Sequence, residues 1–166
     1  MNTTFIIDRR FKKAIQDFMA KHEKCESDAL GGKFEYTFMP DVYGLYITIK
    51  CLACGDELDL IEYYDREMVG DLEETDTLIY TDENEEIKTS DDDLTFTLND
   101  ESEKELNEYY SKHDSCPRNA TGGKYIYTFY PDFCSMRIFV NCYSCDDTLD
   151  ILEYHEPFTD SPYIKD

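Results

Sequence analysis

Six of the seven cysteines and two of the three histidines of this 166-residue chain fall into two sets of one spacing. His22 and Cys25 precede Cys51 and Cys54, and 91 residues later His113 and Cys116 precede Cys142 and Cys145. Each set offers three thiols and one imidazole, the number and softness of donors that a closed, tetrahedral structural zinc site takes. These eight residues are therefore expected to hold two zinc ions. The constraint on the fold is strong, because the 25 residues between Cys25 and Cys51, and between Cys116 and Cys142, must run out and return to the same ion.

The repeat is wider than its ligands. Phe18 to Tyr63 aligns without a gap on Tyr109 to Tyr154, and 20 of the 46 positions are identical. They include Gly31-Gly32-Lys33 with Gly122-Gly123-Lys124, Tyr36-Thr37-Phe38 with Tyr127-Thr128-Phe129, and Pro40-Asp41 with Pro131-Asp132. Self-similarity at a fixed offset marks a tandem repeat. Upstream the match thins to Thr4-Phe5 with Thr95-Phe96 and Asp8 with Asn99. The expected organisation is a first zinc-binding repeat over 1–63, an acidic connector over 64–93, and a second repeat with a C-terminal tail over 94–166. A unit of about 60 residues is marginal on its apolar core alone, and a bound metal offsets that deficit.

Within a unit, the alternation of Phe5 and Ile7, or Leu94, Phe96 and Leu98, predicts a short strand. Asp8 and Asn99 stand at helix N-cap positions. Phe11, Ala14, Ile15, Phe18 and Met19 have helical spacing, as do Leu106, Tyr109 and Tyr110 in a more acidic helix. A last helical turn would then aim His22 and Cys25, three apart, at one ion. The double glycines predict a reversal, followed by strands over Lys33–Met39 and Lys124–Tyr130 and a hairpin opened by the Pro-Asp pairs. On the return strand, strict alternation puts Cys51 and Cys142 on the core face. Leu58–Tyr63 and Leu149–Tyr154 close each unit as strands. The fold class is thus α+β: two tandem units, each strand, helix, β-hairpin, zinc knuckle and strand.

The Cys51-Leu52-Ala53-Cys54-Gly55 segment resembles the knuckle of zinc-ribbon domains, and the resemblance takes in the hairpin, about 30 residues of each unit. It implies a structural zinc ion in each. Repeat two departs from the pattern with Asp146 where the knuckle has glycine.

Charge bounds the function. With 16 Lys and Arg against 38 Asp and Glu, the net charge is −22, and Tyr64–Asp93 alone has 13 acids against Arg66 and Lys88. Such a field repels phosphate backbones and anionic membranes. Direct nucleic-acid or membrane binding is not expected, and the partner expected is a protein with a basic, nucleic-acid-binding surface. In charge, size and lack of a catalytic motif the chain resembles acidic inhibitors of nucleases and of bacterial defence, among them phage anti-restriction and anti-CRISPR proteins. That profile implies a non-catalytic nucleic-acid mimic or inhibitor.

Two other readings stand beside it: a thiol redox or metal-sensing protein using the two Cys-x-x-Cys pairs, and a nucleic-acid-binding zinc ribbon using Arg9, Arg10, Lys12 and Lys13. Gly31-Gly32-Lys33 lacks the spacing and hydroxyl of a phosphate loop, and no nucleophile elbow or His-Glu-x-x-His helix occurs. The aromatic rows Phe34, Tyr36, Phe38 and Tyr125, Tyr127, Phe129 are expected in the core rather than as a base-stacking platform, which would sit in a basic groove. Cys134 and His155 fall outside both ligand sets, and no enzyme is expected. The only apolar run near the N-terminus, Phe5-Ile6-Ile7, is too short for a signal-peptide core, so a cytoplasmic location is expected, where paired cysteines serve as metal ligands before disulfides.

Overall fold

Each repeat begins as its polar and apolar alternation dictates. Phe5 and Ile7 are buried on one side of β1 (Thr4–Ile7), and Phe96 is buried on β5 (Leu94–Thr97). The computed structural model describes residues 3–63 and 93–154. The expected connector, apart from Asp93, and the expected tail lie outside these residues.

Both N-caps form, and they differ. The Asn99 side chain accepts from the N–H groups of Glu101 and Ser102, and α2 (Asp100–Lys112) starts at once with Asp100, Glu101 and Glu103 in its first turn. Acids there complement the positive end of the helix dipole. Asp8 accepts from Arg10 N at 2.7 Å, but basic Arg9 and Arg10 follow, and a 3-10 turn (Arg9–Phe11) intervenes before α1 (Lys12–Lys21).

After each helix come three antiparallel strands: β2 (Phe34–Pro40), β3 (Gly44–Cys51) and β4 (Glu57–Tyr63), then β6 (Tyr125–Pro131), β7 (Ser135–Cys142) and β8 (Thr148–Tyr154). The hairpin turns are built by aspartate. Asp41 Oδ1 accepts from Tyr43 and Gly44 N, and Asp132 Oδ1 accepts from Cys134 and Ser135 N, a side-chain imitation of a backbone turn.

The two repeats share one sheet. β2 pairs with β6 antiparallel through Tyr36↔Phe129, Thr37↔Thr128 and Phe38↔Tyr127, giving six strands in the order β4-β3-β2-β6-β7-β8. β1 and β5 form a separate antiparallel ribbon in which Phe5 faces Phe96. Thr37 and Thr128, like Phe5 and Phe96, are equivalents 91 residues apart, so a local twofold axis passes through both pairs. The repeats meet as the halves of an isologous dimer would.

The ribbon lies on the sheet over this axis. The Phe5 ring is 5.3, 4.9 and 4.8 Å from the rings of Phe38, Tyr127 and Phe129, and Phe96 is 5.0 Å from Tyr36 and from Phe129. Phe38 and Phe129 are wholly buried. The aromatic rows are therefore core. α1 packs Phe18 6.0 Å from Phe34, and α2 packs Tyr109 6.0 Å from Tyr125, on the same face. The other face carries Thr48, Asp59, Arg137 and Asp150, with Ile61 and Leu152 exposed. Among the described residues, no helix is long and apolar enough to cross a membrane.

Candidate metal centres

The end of each helix delivers the first two donors. α1 stops at Lys21, His22 is its C-cap, and Cys25 N bonds back to His22 O at 2.9 Å. His113 and Cys116 repeat this after α2. The pair is therefore held by a turn just past the helix, and not by a last helical turn. Leaving the helix lets the thiol swing toward the imidazole instead of standing one turn below it. Aromatic rings fix both imidazoles: Phe18 lies 4.5 Å from His22, and Tyr109 lies 4.3 Å from His113.

The ends of β3 and β7 deliver the other two donors. Cys51 and Cys142 are buried on the core face, as alternation predicts. The chain then turns tightly: Gly55 N bonds to Cys51 O at 2.8 Å and Asp146 N to Cys142 O at 3.1 Å. Gly55 has φ 78°, and Asp146 takes φ 55° to make the same turn. Lys33 and Lys124 fasten the parts together. Their Nζ groups donate to the carbonyls of Glu23 and Asp114 between the two helix-end ligands, and their own carbonyls accept from Leu52 and Tyr143 in the knuckles. The lysine of each Gly-Gly-Lys repeat is thus a clamp on the donor cluster.

All eight sequence-predicted ligands assemble, four to a cluster, with the donor atoms of each within 4.8 Å of one another. His22 Nδ1 is 3.3 Å from Cys54 Sγ and 3.6 Å from Cys25 Sγ, and His113 Nδ1 stands at the same distances from Cys145 and Cys116. Cys116 and Cys145 Sγ are 3.9 Å apart. A zinc ion about 2.3 Å from sulfur and about 2.0 Å from nitrogen sets tetrahedral edges of roughly 3.8 and 3.5 Å. The donor sets fit a metal ion of that kind, one per repeat.

The thiols are unequal. Burial, together with the neighbouring thiols, pushes Cys25 and Cys116 up to about 11. Burial also acts to raise Cys51 and Cys142, but knuckle N–H groups and neighbouring thiols outweigh it and bring both below the usual thiol value. Cys51 and Cys142 are therefore the readier of the cluster thiols to give up a proton, and the charge of an arriving cation favours loss of the others.

Asp56 and Asp147 lie behind the imidazoles, on the side away from the thiols. Asp56 Oδ2 is 3.2 Å from His22 Nε2, off hydrogen-bond alignment, and Asp147 Oδ2 is hydrogen-bonded to His113 Nε2 at 3.0 Å. Ligand spacing does not point to these acids. Their signal in the sequence is that both repeats keep an aspartate two residues past the last cysteine. Cys134 is half-buried and belongs to neither cluster, and His155 lies outside the described residues.

In the basic cluster at the start of α1, two of the four side chains are paired with acids. Arg10 pairs with Glu62, and Lys13 with Asp17 at 3.0 Å. The reach of the centres extends between repeats. Phe133 N bonds to Leu30 O, and Val42 N to Thr121 O, both at 3.0 Å, so the loop leaving each helix-end ligand pair grips the hairpin turn of the other repeat. No family model, curated protein or solved structure matches this chain, so the reading of the two centres rests on their own geometry.

Proposed function

We propose that this protein is a non-catalytic, zinc-holding binding module whose acidic body engages a basic, nucleic-acid-binding surface on a partner protein. It acts there as a nucleic-acid mimic or inhibitor, for example of a nuclease or a defence complex. The observation that carries this reading is the net charge of −22. Two centres with four protein donors each add to it, since three thiolates and a zinc ion carry −1 per site and leave no open coordination position. The metals then serve as scaffold, and the surface is left to do the work. α2 exposes Asp100, Glu101, Glu105 and Glu108, and carboxylates on a rigid frame steer a cationic partner from a distance.

Affinity capture followed by salt titration tests this reading. A basic, nucleic-acid-binding protein should be retained and should elute as ionic strength rises, and added DNA or RNA should displace the acidic protein. Retention indifferent to salt, or no basic partner, would sink the proposal. Elemental analysis should find about two zinc ions per chain. Fast labelling of Cys54 and Cys145 in the metal-loaded protein would favour thiol redox chemistry instead.

A further inference from the structure

We infer that His22 and His113 bind metal through Nδ1, with Asp56 and Asp147 as positioning residues that accept a hydrogen bond from Nε2–H and fix the tautomer. The inference rests on the reading of the two clusters as metal centres and adds two residues to them. Its first support is direction. In both repeats Nδ1 faces two thiol sulfurs at 3.3 and 3.6 Å, while Nε2 faces an aspartate Oδ2 at 3.2 or 3.0 Å. An imidazole has one donor and one acceptor nitrogen when neutral, so a carboxylate at Nε2 keeps the proton there and leaves the Nδ1 lone pair for the cation.

The second support is burial. The two histidine side chains are only 5% and 8% exposed, too little for bulk water to serve Nε2, and His22 Nε2 is itself inaccessible. An N–H in that position needs a protein acceptor, and Asp56 and Asp147 are the acceptors at hand. The third support is anchorage. The carbonyls of Asp56 and Asp147 accept from Cys51 N and Cys142 N, so each aspartate is tied to the cysteine that shares its metal. Position of the carboxylate and position of the buried thiolate are set by one piece of backbone.

The repeats differ beyond this point. Asp56 also pairs with Lys21 at 2.5 Å, whereas among the described residues no ion pair joins Lys112 to Asp147. The carboxylate of repeat one is drawn to a lysine and stands beside the imidazole off hydrogen-bond alignment, whereas that of repeat two is hydrogen-bonded to the imidazole. His113 should therefore lose more than His22 when its aspartate is removed.

The test uses the full chain loaded with zinc. Long-range proton–nitrogen NMR of the histidines should find Nδ1 metal-bound and Nε2 protonated at both His22 and His113, and Nε2 ligation at either would overturn the assignment. Asp147→Ala should weaken zinc binding at site two roughly 10- to 100-fold in chelator competition while site one keeps its affinity. Asp147→Asn, which retains an acceptor oxygen, should recover part of the loss. Unchanged affinity in the alanine variant, or equal loss at both sites as from general damage to the fold, would overturn the positioning role. A chain that takes up no zinc would sink the metal reading itself, whereas a chain with bound zinc and Nε2 ligation would sink only this inference.

Discussion

Asp146 holds φ 55°, a left-handed conformation that costs a residue with a Cβ about 1 kcal/mol or more and costs glycine almost nothing. Repeat two makes the turn nonetheless, and its hydrogen bond to Cys142 O closes the turn that brings Cys145 to the other three donors. Asp146→Gly is expected to stabilise the metal-loaded protein by about 0.5–1 kcal/mol, and Gly55→Ala to destabilise it by about 1 kcal/mol, both read by denaturant unfolding. At this scale the sequence was legible where residues act by identity. Eight donors of soft and borderline character, repeated in register, announce their own chemistry. Asp56 and Asp147 were not legible, because an aspartate beside a turn has many common uses, and only the fold reveals which face of an imidazole it meets.

Elements were legible to within a residue or two wherever one face is buried. β2 and β6 begin one residue later than alternation suggests, and β4 and β8 one residue earlier. The helix starts were legible at Asp8 and Asn99, although the basic pair Arg9-Arg10 delays α1 by a 3-10 turn. The pairing of β2 with β6 was hidden. A strand's alternation states which face is buried and says nothing of which neighbour completes its edge, and Tyr36-Thr37-Phe38 reads the same at an edge as at the centre. This seam carries the clearest prediction for an element. Phe129 is wholly buried, touches both ribbon phenylalanines and faces Tyr36 of the other repeat. Phe129→Ala should cost about 3–5 kcal/mol and lower the stability of both repeats together, measured by hydrogen exchange in β3 and β7. Protection lost in β7 alone would mean that the seam does not couple them.

As a whole molecule, the described part of the chain has one six-stranded sheet covered by a two-stranded ribbon, one aromatic core and a candidate metal centre at each end. The antiparallel seam places Cys51, opposite Phe34, and Cys142, opposite Tyr125, at opposite ends of the sheet. Removing one centre should therefore weaken everything. Cys51→Ser is expected to reduce the metal count from about two to about one and to lower a single thermal transition by roughly 10 °C or more. Two resolved transitions, one of them unshifted, would mean that the repeats fold separately.

The local twofold through Phe5/Phe96 and Thr37/Thr128 also governs how the molecule can be counted by others. A partner that reads only what the repeats have in common, such as the clamped knuckle or the Pro-Asp turn, meets that feature twice, pointing in opposite directions, and would bind two to a chain. A partner that binds once must either sit on the axis or read the places where the copies diverge, Arg137 against Tyr46 and Phe139 against Thr48 among them. Stoichiometry alone would then tell which surface is recognised.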